Sequence, residues 1–373
     1  MPEPTMCRHC VMRVEDDPAI EIRDGICNHC RRYAALLPTR VLEGEAGLRQ
    51  LDKIVGDAKA RGKRRDYDCL IGVSGGVDST YVAMTAKKLG LRPLAVHLDN
   101  GWNSETAVKN IERTLTTLGI DLHTDVLDLR EFYDLQRAFL VASTPDGEIP
   151  TDHAIQATVW QVARKRGIKY ILSGMNFRSE AIDVPSWSYG HSDWRYIRAV
   201  HRAHGTRPLK QYPHYGLPRL GRNAATGTRI VSILNYLDYD KTAAEAELAS
   251  ALGWEPYGSK HFESIYTRFY QGYVLPTKFG IDKRRGHFSD LINSGLMERE
   301  AALAELETSG YPDHQRRQDQ ELVLKKLRLS GDELGAIMSA PIRSFRDYPN
   351  NYDRVQLLRR TVNNLRQRGW YPR

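Results

Sequence analysis

The sequence predicts an α/β protein with a doubly wound parallel sheet, an N-terminal cysteine knuckle and a helical C-terminal region. Three observations carry this reading. From about residue 69, short apolar runs alternate with helical periodicities, the βαβα order of a parallel sheet covered on both faces. The run Leu70-Ile71-Gly72-Val73 enters Ser74-Gly75-Gly76-Val77-Asp78-Ser79-Thr80 and then the amphipathic stretch Tyr81 to Leu89. Two Cys-x-x-Cys pairs stand ahead of that first strand, and the chain after residue 240 reads as helix after helix.

At 373 residues the chain suits two or three packed units. The expected division is a knuckle over 1–45, a nucleotide domain over 46–240 and a helical region over 241–373 that contributes to the substrate site. A hydrophobic content of 41% supports a core. No apolar run approaches the ~20 residues that span a bilayer, and Met1 to Cys10 has no signal-peptide core, so the expectation is a cytoplasmic protein with no membrane partner. The net charge is +8. It reads as dispersed, without a lysine- or arginine-only block, which favours an anionic partner but does not point to nucleic acid.

Cys7-Arg8-His9-Cys10 and Cys27-Asn28-His29-Cys30 are separated by sixteen residues. In a reducing compartment such pairs suit a closed tetrathiolate Zn²⁺ site, structural rather than catalytic. A redox dithiol and an iron–sulfur ligand set are the alternatives. His9 and His29 are left out of the ligand set, and Cys69, in a strand, reads as an inert core residue. Residues 1 to about 38 have little periodicity and depend on the metal to fold, with Pro38 closing the knuckle.

A basic amphipathic helix is expected over 46–61, then the strand at 69–73 and a helix over 79–89. A strand over 93–98, a helix over 104–118, a strand over 122–127, helices near 130–142 and 152–166, and a strand over 170–173 follow. The stretch 178–230 is irregular and aromatic and reads as a lid, substrate loop or packed connection. A last strand is expected within 231–237. Helices are then expected over 240–252, 259–272, 286–294, 298–308 and 313–329, with a capped helix from Ser330-Gly331-Asp332-Glu333. A closing helix would place Val355, Leu358, Val362 and Leu365 on one face.

The stretch 74–80 puts a glycine turn at a helix N-terminus, where backbone N–H groups and the positive end of the helix dipole favour an anion. The GxxxxGK[ST] frame is absent, and so is GxGxxG. Ser74-Gly75-Gly76-Val77-Asp78-Ser79 instead resembles the PP-loop of the ATP pyrophosphatase superfamily, an adenine nucleotide alpha hydrolase-like fold. Its members split ATP between the α and β phosphates. That resemblance implies ATP contacts from Ser74 to Thr80, with Asp78 helping to hold Mg²⁺. It also implies contacts from the ends of two other strands, at His97 and Asp99 and at Gly174 and Asn176, which converge on the same crevice.

Between Ser259 and Ser289 lie Lys260, His261, Glu263, Arg268, Lys278, Asp282, Lys283, Arg284, Arg285 and His287, interleaved with Phe262, Tyr266, Phe269, Tyr270, Tyr273 and Phe279. A rigid cationic surface of this kind suits an anionic substrate and departing pyrophosphate.

Matching residues then run nearly end to end with one family. They are Cys7-x-x-Cys10-Val11-Met12, Asp17-Pro18-x-Ile20, Gly25-x-Cys27-Asn28-x-Cys30, Ser74 to Thr80 and His97-Leu98-Asp99-Asn100-Gly101-Trp102-Asn103. They continue through Pro150-Thr151-Asp152-His153-Ala154-Ile155, Gly174-x-Asn176, Lys260-His261-x-Glu263-Ser264, Thr267 to Tyr273, Phe279-Gly280 and Asp282-Lys283-Arg284-Arg285. The chain thereby resembles the N-acetyl sugar amidotransferases, the WbpG-like and PseA-like proteins of surface-polysaccharide biosynthesis. Arg13-Val14-Glu15 departs from the family run, inside the knuckle.

The resemblance implies that ATP adenylates the acetamido oxygen of a nucleotide-linked sugar and that ammonia displaces AMP to leave an acetamidino group, in O-antigen or related glycan synthesis. Candidate catalytic residues are Asp78, Asp152, His153, Lys260, His261 and Glu263; candidate substrate contacts are Arg268, Lys283, Arg284, Arg285 and His287. No cysteine is placed to hydrolyse glutamine, so ammonia is expected from a separate glutaminase. By resemblance that partner is similar to the glutaminase subunit of imidazole-glycerol-phosphate synthase, with a cyclase-like companion. Two other readings are a tRNA-thiolating PP-loop enzyme, which would need a further reactive cysteine, and a non-catalytic zinc- and nucleotide-binding module.

Overall fold

The computed structural model describes residues 5–258 and 262–357. Lys260 and His261 lie outside the described residues, as does the closing helix beyond Leu357 with Leu358, Val362 and Leu365.

The chain opens with a β-hairpin, β1 (Ile22–Arg23) and β2 (Ile26–Cys27), turned by Asp24 and Gly25 at positive φ. Helix α1 (Asn28–Arg40) follows at once, capped by the Cys27 side chain. Pro38 sits inside α1 rather than closing the knuckle, which corrects the expectation of an irregular segment to residue 38. Helix α2 (Gly44–Gly62) leads to the sheet.

Five parallel strands form that sheet: β3 (Cys69–Gly72), β4 (Pro93–Asp99), β5 (Asp121–Val126), β6 (Tyr170–Ser173) and β7 (Arg229–Ser232), in the order β5-β4-β3-β6-β7. Helices α3 (Val77–Lys88) and α4 (Glu105–Leu118) make the crossovers on one side, and α5 (Leu129–Ala142) and α6 (Ile149–Arg166) lead to β6. Leu70 and Ile71 show why β3 is central. Both are fully buried, Leu70 against Val162 and Ala163 of α6, Ile71 in the layer of α2, α3 and α4. The order reverses between β3 and β6, so their carboxyl ends border a crevice at the switch point.

The aromatic stretch 178–230 holds two helices, α7 (Trp194–His204) and α8 (Leu217–Ala225). Tyr196, Ile197 and Val200 of α7 are buried against α5, a period masked in the sequence by arginines and histidines on the outer turns. Helix α9 (Lys241–Leu252) packs on α3 and α4, so the expected boundary at residue 240 crosses continuous packing.

Beyond it come α10 (Ile265–Phe269), a π-helix over Tyr270–Phe279, α11 (Arg284–Asn293), α12 (Arg299–Leu306), α13 (Asp313–Leu327) and α14 (Gly331–Ser339). The expected helix over 259–272 is thus α10 running into the π-helix, with Pro276 inside. Wide i→i+5 turns of this kind favour functional sites. Helix α10, the π-helix, α13 and α14 share with α5 and α7 a core that includes Trp102, Phe139, Tyr196, Tyr266, Phe269 and Tyr270, while α11 and α12 pack with Val11 of the knuckle. Among the described residues no helix is long and apolar enough to cross a membrane.

Candidate nucleotide and substrate site

The site is built on the turn between β3 and α3. Gly75 takes φ +82°, and a Cβ there would lie 2.4 Å from the Ala107 carbonyl oxygen, so only glycine lets the loop press against α4. The Gly75 carbonyl accepts from Trp254 Nε1 at 3.0 Å. Gly76 is the N-cap of α3 and offers no side-chain acceptor, while the Tyr257 hydroxyl meets the Val77 N–H from outside the helix. From inside the turn, the Thr80 hydroxyl donates to the Gly76 carbonyl at 2.9 Å, and the Ser79 hydroxyl does so at 3.1 Å.

Gly174, at the end of β6, meets this turn directly: a Cβ there would stand 3.1 Å from Asp78 Cβ and 3.2 Å from Ser79 N. Asp78 accepts from the Tyr239 hydroxyl at 2.5 Å. Tyr257 has its hydroxyl 3.1 Å from where a Gly76 Cβ would be, and Glu263 Oε1 is 3.6 Å from the same point. Burial raises the Tyr257 and Tyr239 phenols, as do the carboxylates beside them, so both remain neutral hydrogen-bonding groups. The structure thus brings Ser74, Gly75, Gly76, Val77, Asp78, Ser79, Thr80, Gly174 and Glu263 together.

His97 joins them through Nδ1, 2.9 Å from the Val73 carbonyl, with Nε2 3.0 Å from Asn103. Asp99 accepts from Gly101 N–H at 2.9 Å and shapes the turn after β4. That turn also holds the start of the C-terminal region. Asn103 bridges Ser264, Ser104 N–H donates to the Glu263 carbonyl at 2.8 Å, and Ile265 N–H donates to the Trp102 carbonyl at 2.8 Å. Lys326 of α13 reaches the Gly101 carbonyl and lies 4.8 Å from the Trp102 ring centroid. Asn176 is buried, its side chain accepting from Arg178 N–H at 3.0 Å.

A cleft of about 900 Å³ opens beside the loop at Glu180, Lys241, Gly258 and Phe262 and runs to Lys283, Arg284 and His287. Lys283 Nζ lies 3.0 Å from Glu148 Oε2, which also accepts from Gln271 at 2.8 Å. Desolvation opposes the Lys283 charge, yet Glu148, Asp152 and Asp146 outweigh it and hold the ammonium protonated. Asp152 pairs with His191 at 3.2 Å and favours its imidazolium against burial. Behind them burial raises the Asp146 carboxyl to about 6, moderated by a 2.5 Å bond from the Tyr196 hydroxyl. His287 Nδ1 is 3.1 Å from the Ser179 carbonyl.

Several candidates stand elsewhere. His153 is fully buried, with Nδ1 donating to the His191 carbonyl at 2.9 Å, Nε2 accepting from Tyr215 N–H at 3.3 Å, and its ring stacked on Tyr215 at 4.5 Å. Burial lowers it to about 4, and with both nitrogens engaged it is placed as a core residue. Arg268 makes a bidentate pair with Asp319 at 2.6 and 2.7 Å. Arg284 pairs with Asp282 and caps the carbonyls of Glu305 and Thr308. Arg285 reaches the Val11 carbonyl at 2.9 Å and, with Arg299 on the Cys10 carbonyl, docks the knuckle. These three guanidinium groups are therefore bound to protein acceptors, a use that a basic run does not reveal. Glu148, Asp146, His191, Tyr239 and Tyr257 were not read as site residues; only the aromatic 178–230 stretch, which carries His191, gave a signal.

The four sulfurs of Cys7, Cys10, Cys27 and Cys30 lie within 4.8 Å of one another and are buried. Sγ separations are 4.0 Å for Cys7–Cys30, 3.7 Å for Cys10–Cys27 and 3.6 Å for Cys27–Cys30. A tetrahedron of thiolates ~2.3 Å from zinc has edges of ~3.8 Å, so the donor set fits zinc. His29 is occupied by Asp17 at 2.9 Å. Cys69 is buried and its thiol is pushed far up by desolvation, an inert core group.

Residues 263–361 match the family described as LPS biosynthesis protein WbpG-like, C-terminal domain. No curated protein matches the chain. The fold is similar to NMN synthetase from Francisella tularensis, at 14% identity and TM-score 0.37 over 81% of this chain and 97% of that one. It is similar to an NH3-dependent NAD synthetase from Campylobacter jejuni, at 12% identity and TM-score 0.29 over 42% of this chain and 72% of that one. A predicted tRNA methyltransferase subunit from Methanocaldococcus jannaschii gives 22% identity and TM-score 0.24 over 42% of this chain and 73% of that one. The segment that matches the WbpG-like C-terminal domain begins at Glu263, beside the turn between β3 and α3, and continues through the π-helix and α13.

Proposed function

We propose that this protein is an ATP-dependent, AMP-forming amidotransferase that converts an acetamido group of a nucleotide-linked sugar to an acetamidino group in surface-glycan biosynthesis. The observation that carries the reading is the junction of two parts. The WbpG-like segment starts at Glu263, whose carboxylate lies 3.6 Å from a Cβ position on Gly76 of the phosphate loop.

An amide oxygen is a weak nucleophile, so the enzyme gains most by fixing it in line with the α-phosphate and stabilising the charge that departs. The N–H groups at the start of α3 bind pyrophosphate, and Gly76 keeps the approach open. The amide oxygen bonds to the α-phosphorus as the bond to pyrophosphate breaks. Ammonia then adds to the imidate carbon, and the carbon–oxygen bond breaks to release AMP. Glu263 and Asp152 are the proposed proton acceptors, with Lys283, His191 and His287 facing the substrate across the cleft. Asp78 and the hydroxyls of Ser74 and Ser79 are oxygen donors that fit Mg²⁺, which when bound would neutralise phosphate charge.

The ammonia comes from a separate glutaminase in this reading, since the four knuckle cysteines are buried together as a donor set that fits zinc and Cys69 is buried. The test is mass spectrometry of candidate nucleotide sugars incubated with the protein, ATP, Mg²⁺ and ammonia. A product with oxygen replaced by NH is expected. Unchanged sugars across UDP-, GDP- and CMP-linked acetamido substrates would overturn the reading.

A further inference from the structure

The net charge of this chain is not dispersed. Residues 194–237 hold Arg195, Arg198, Arg202, Arg207, Lys210, Arg219, Arg222 and Arg229 with no aspartate or glutamate, a charge of +8. The rest of the chain is balanced, 46 basic against 46 acidic residues, so one segment carries the whole excess.

Within it, a concavity of about 410 Å³ is lined by Trp194, Arg198, His201, Arg202, Arg207 and Leu209, among others. Arg198 and Arg202 are four apart on α7, where like charges oppose helix formation. Both are exposed, as is Arg207, and among the described residues none of the three guanidinium groups makes an ion pair or hydrogen bond. Arg13, Arg92, Arg178, Arg268 and Arg284, by contrast, all pair with carboxylates.

The loop that carries Arg207 is held in place. Thr206 and Arg207 N–H donate to Asp134 at 2.9 and 3.0 Å, and Lys210, Gln211 and Tyr212 N–H donate to Glu131 at 2.9, 2.9 and 3.2 Å. His201 Nε2 is 3.3 Å from Asp134. The two carboxylates behind the concavity thus accept from backbone and imidazole and fix the loop, and among the described residues neither forms an ion pair with the three arginines. Trp194, stacked on His214 at 4.2 Å, forms a rigid apolar wall.

We infer that Arg198, Arg202 and Arg207 form a second anion site that takes a phosphoryl group, separate from the loop at residues 74–80. Planar guanidinium groups converging without counter-ions match the oxygens of a phosphate monoester or diester. That group is carried by a small phosphorylated molecule or by a lipid headgroup, and the experiment separates the two.

Binding of the full chain, with a non-hydrolysable ATP analogue at saturation to occupy the loop at residues 74–80, is measured to inorganic phosphate, by equilibrium dialysis, and to phosphatidylcholine vesicles with and without phosphatidylglycerol, by co-sedimentation. Wild type is compared with Arg198→Gln/Arg202→Gln/Arg207→Gln, whose fold is checked by thermal melting and by retained ATP turnover. In the triple variant, affinity for the phosphoryl probe should fall on the order of a hundredfold. Arg202→Lys alone should lose part of it while keeping the charge. Phosphate loss with vesicles inert assigns a soluble ligand, and vesicle loss assigns a headgroup. Binding that survives the triple substitution, or wild type that binds neither probe and instead takes up RNA or an acidic protein, overturns the inference.

Discussion

Asp78 is the carboxylate of the glycine turn between β3 and α3, at the first turn of α3 and in hydrogen bond with Tyr239. Asp78→Asn should abolish pyrophosphate release while leaving the melting temperature within a few degrees, and wild-type release from that variant would remove its assignment. His153 makes the opposite prediction. Its pKa is lowered by burial to about 4 against an ordinary 6.5, so stability is full above 6.5 and is lost as pH falls through 4. The loss is about 3 kcal/mol. His153→Gln should flatten stability between pH 6.5 and 4 in urea titrations; an unchanged slope would show that other groups set it. At this scale the sequence was clearest where local rules act. The loop from Ser74 to Thr80 and the four cysteines could be read because spacing alone fixes their geometry. Arg268 and Arg284 could not, since their carboxylates, Asp319 and Asp282, compete with any substrate only once the chain has folded.

Among the elements, the inner strands β3, β4 and β6 were legible because their residues are mostly apolar and buried, and so were the α3, α4 and α6 crossovers. Helix α1 was hidden by Pro38, and α7 by the arginines and histidines that surround three buried residues. The π-helix could not be read from local pattern, since its wide turns follow no 3.6 period. The knuckle is the element whose four buried sulfurs form a donor set that fits an ion. Cys27→Ser, or exhaustive chelation, should lower the melting temperature and solubility, because a tetrathiolate zinc site contributes folding free energy. Zinc-free protein that melts as the untreated protein does would contradict it. Gly75→Ala should be as damaging locally, since φ +82° and the Ala107 carbonyl at 2.4 Å leave no room for a methyl group. The expected loss is about 1–3 kcal/mol, read as a shift in the denaturant midpoint.

For the whole molecule, the sheet presents the loop and the C-terminal region closes on it through Glu263, Ser264 and Lys326. The fold class was readable in sequence; the meeting of Asp146, Glu148 and His191 around Lys283 was not, because the residues at 146–148, at 191 and at 283 come from three separated stretches. Glutamine alone should give no glutamate with this chain, and added glutaminase should restore amidination; robust glutamate release lost in Cys69→Ser would overturn the partner. The central claim is that the acetamido oxygen itself is adenylated. A nucleotide sugar carrying ¹⁸O in its acetyl carbonyl tests it, with ATP, Mg²⁺ and ammonia present and AMP analysed by mass spectrometry. One ¹⁸O should appear in the phosphate of each AMP formed with product. Unlabelled AMP, or ADP in its place, would contradict the account.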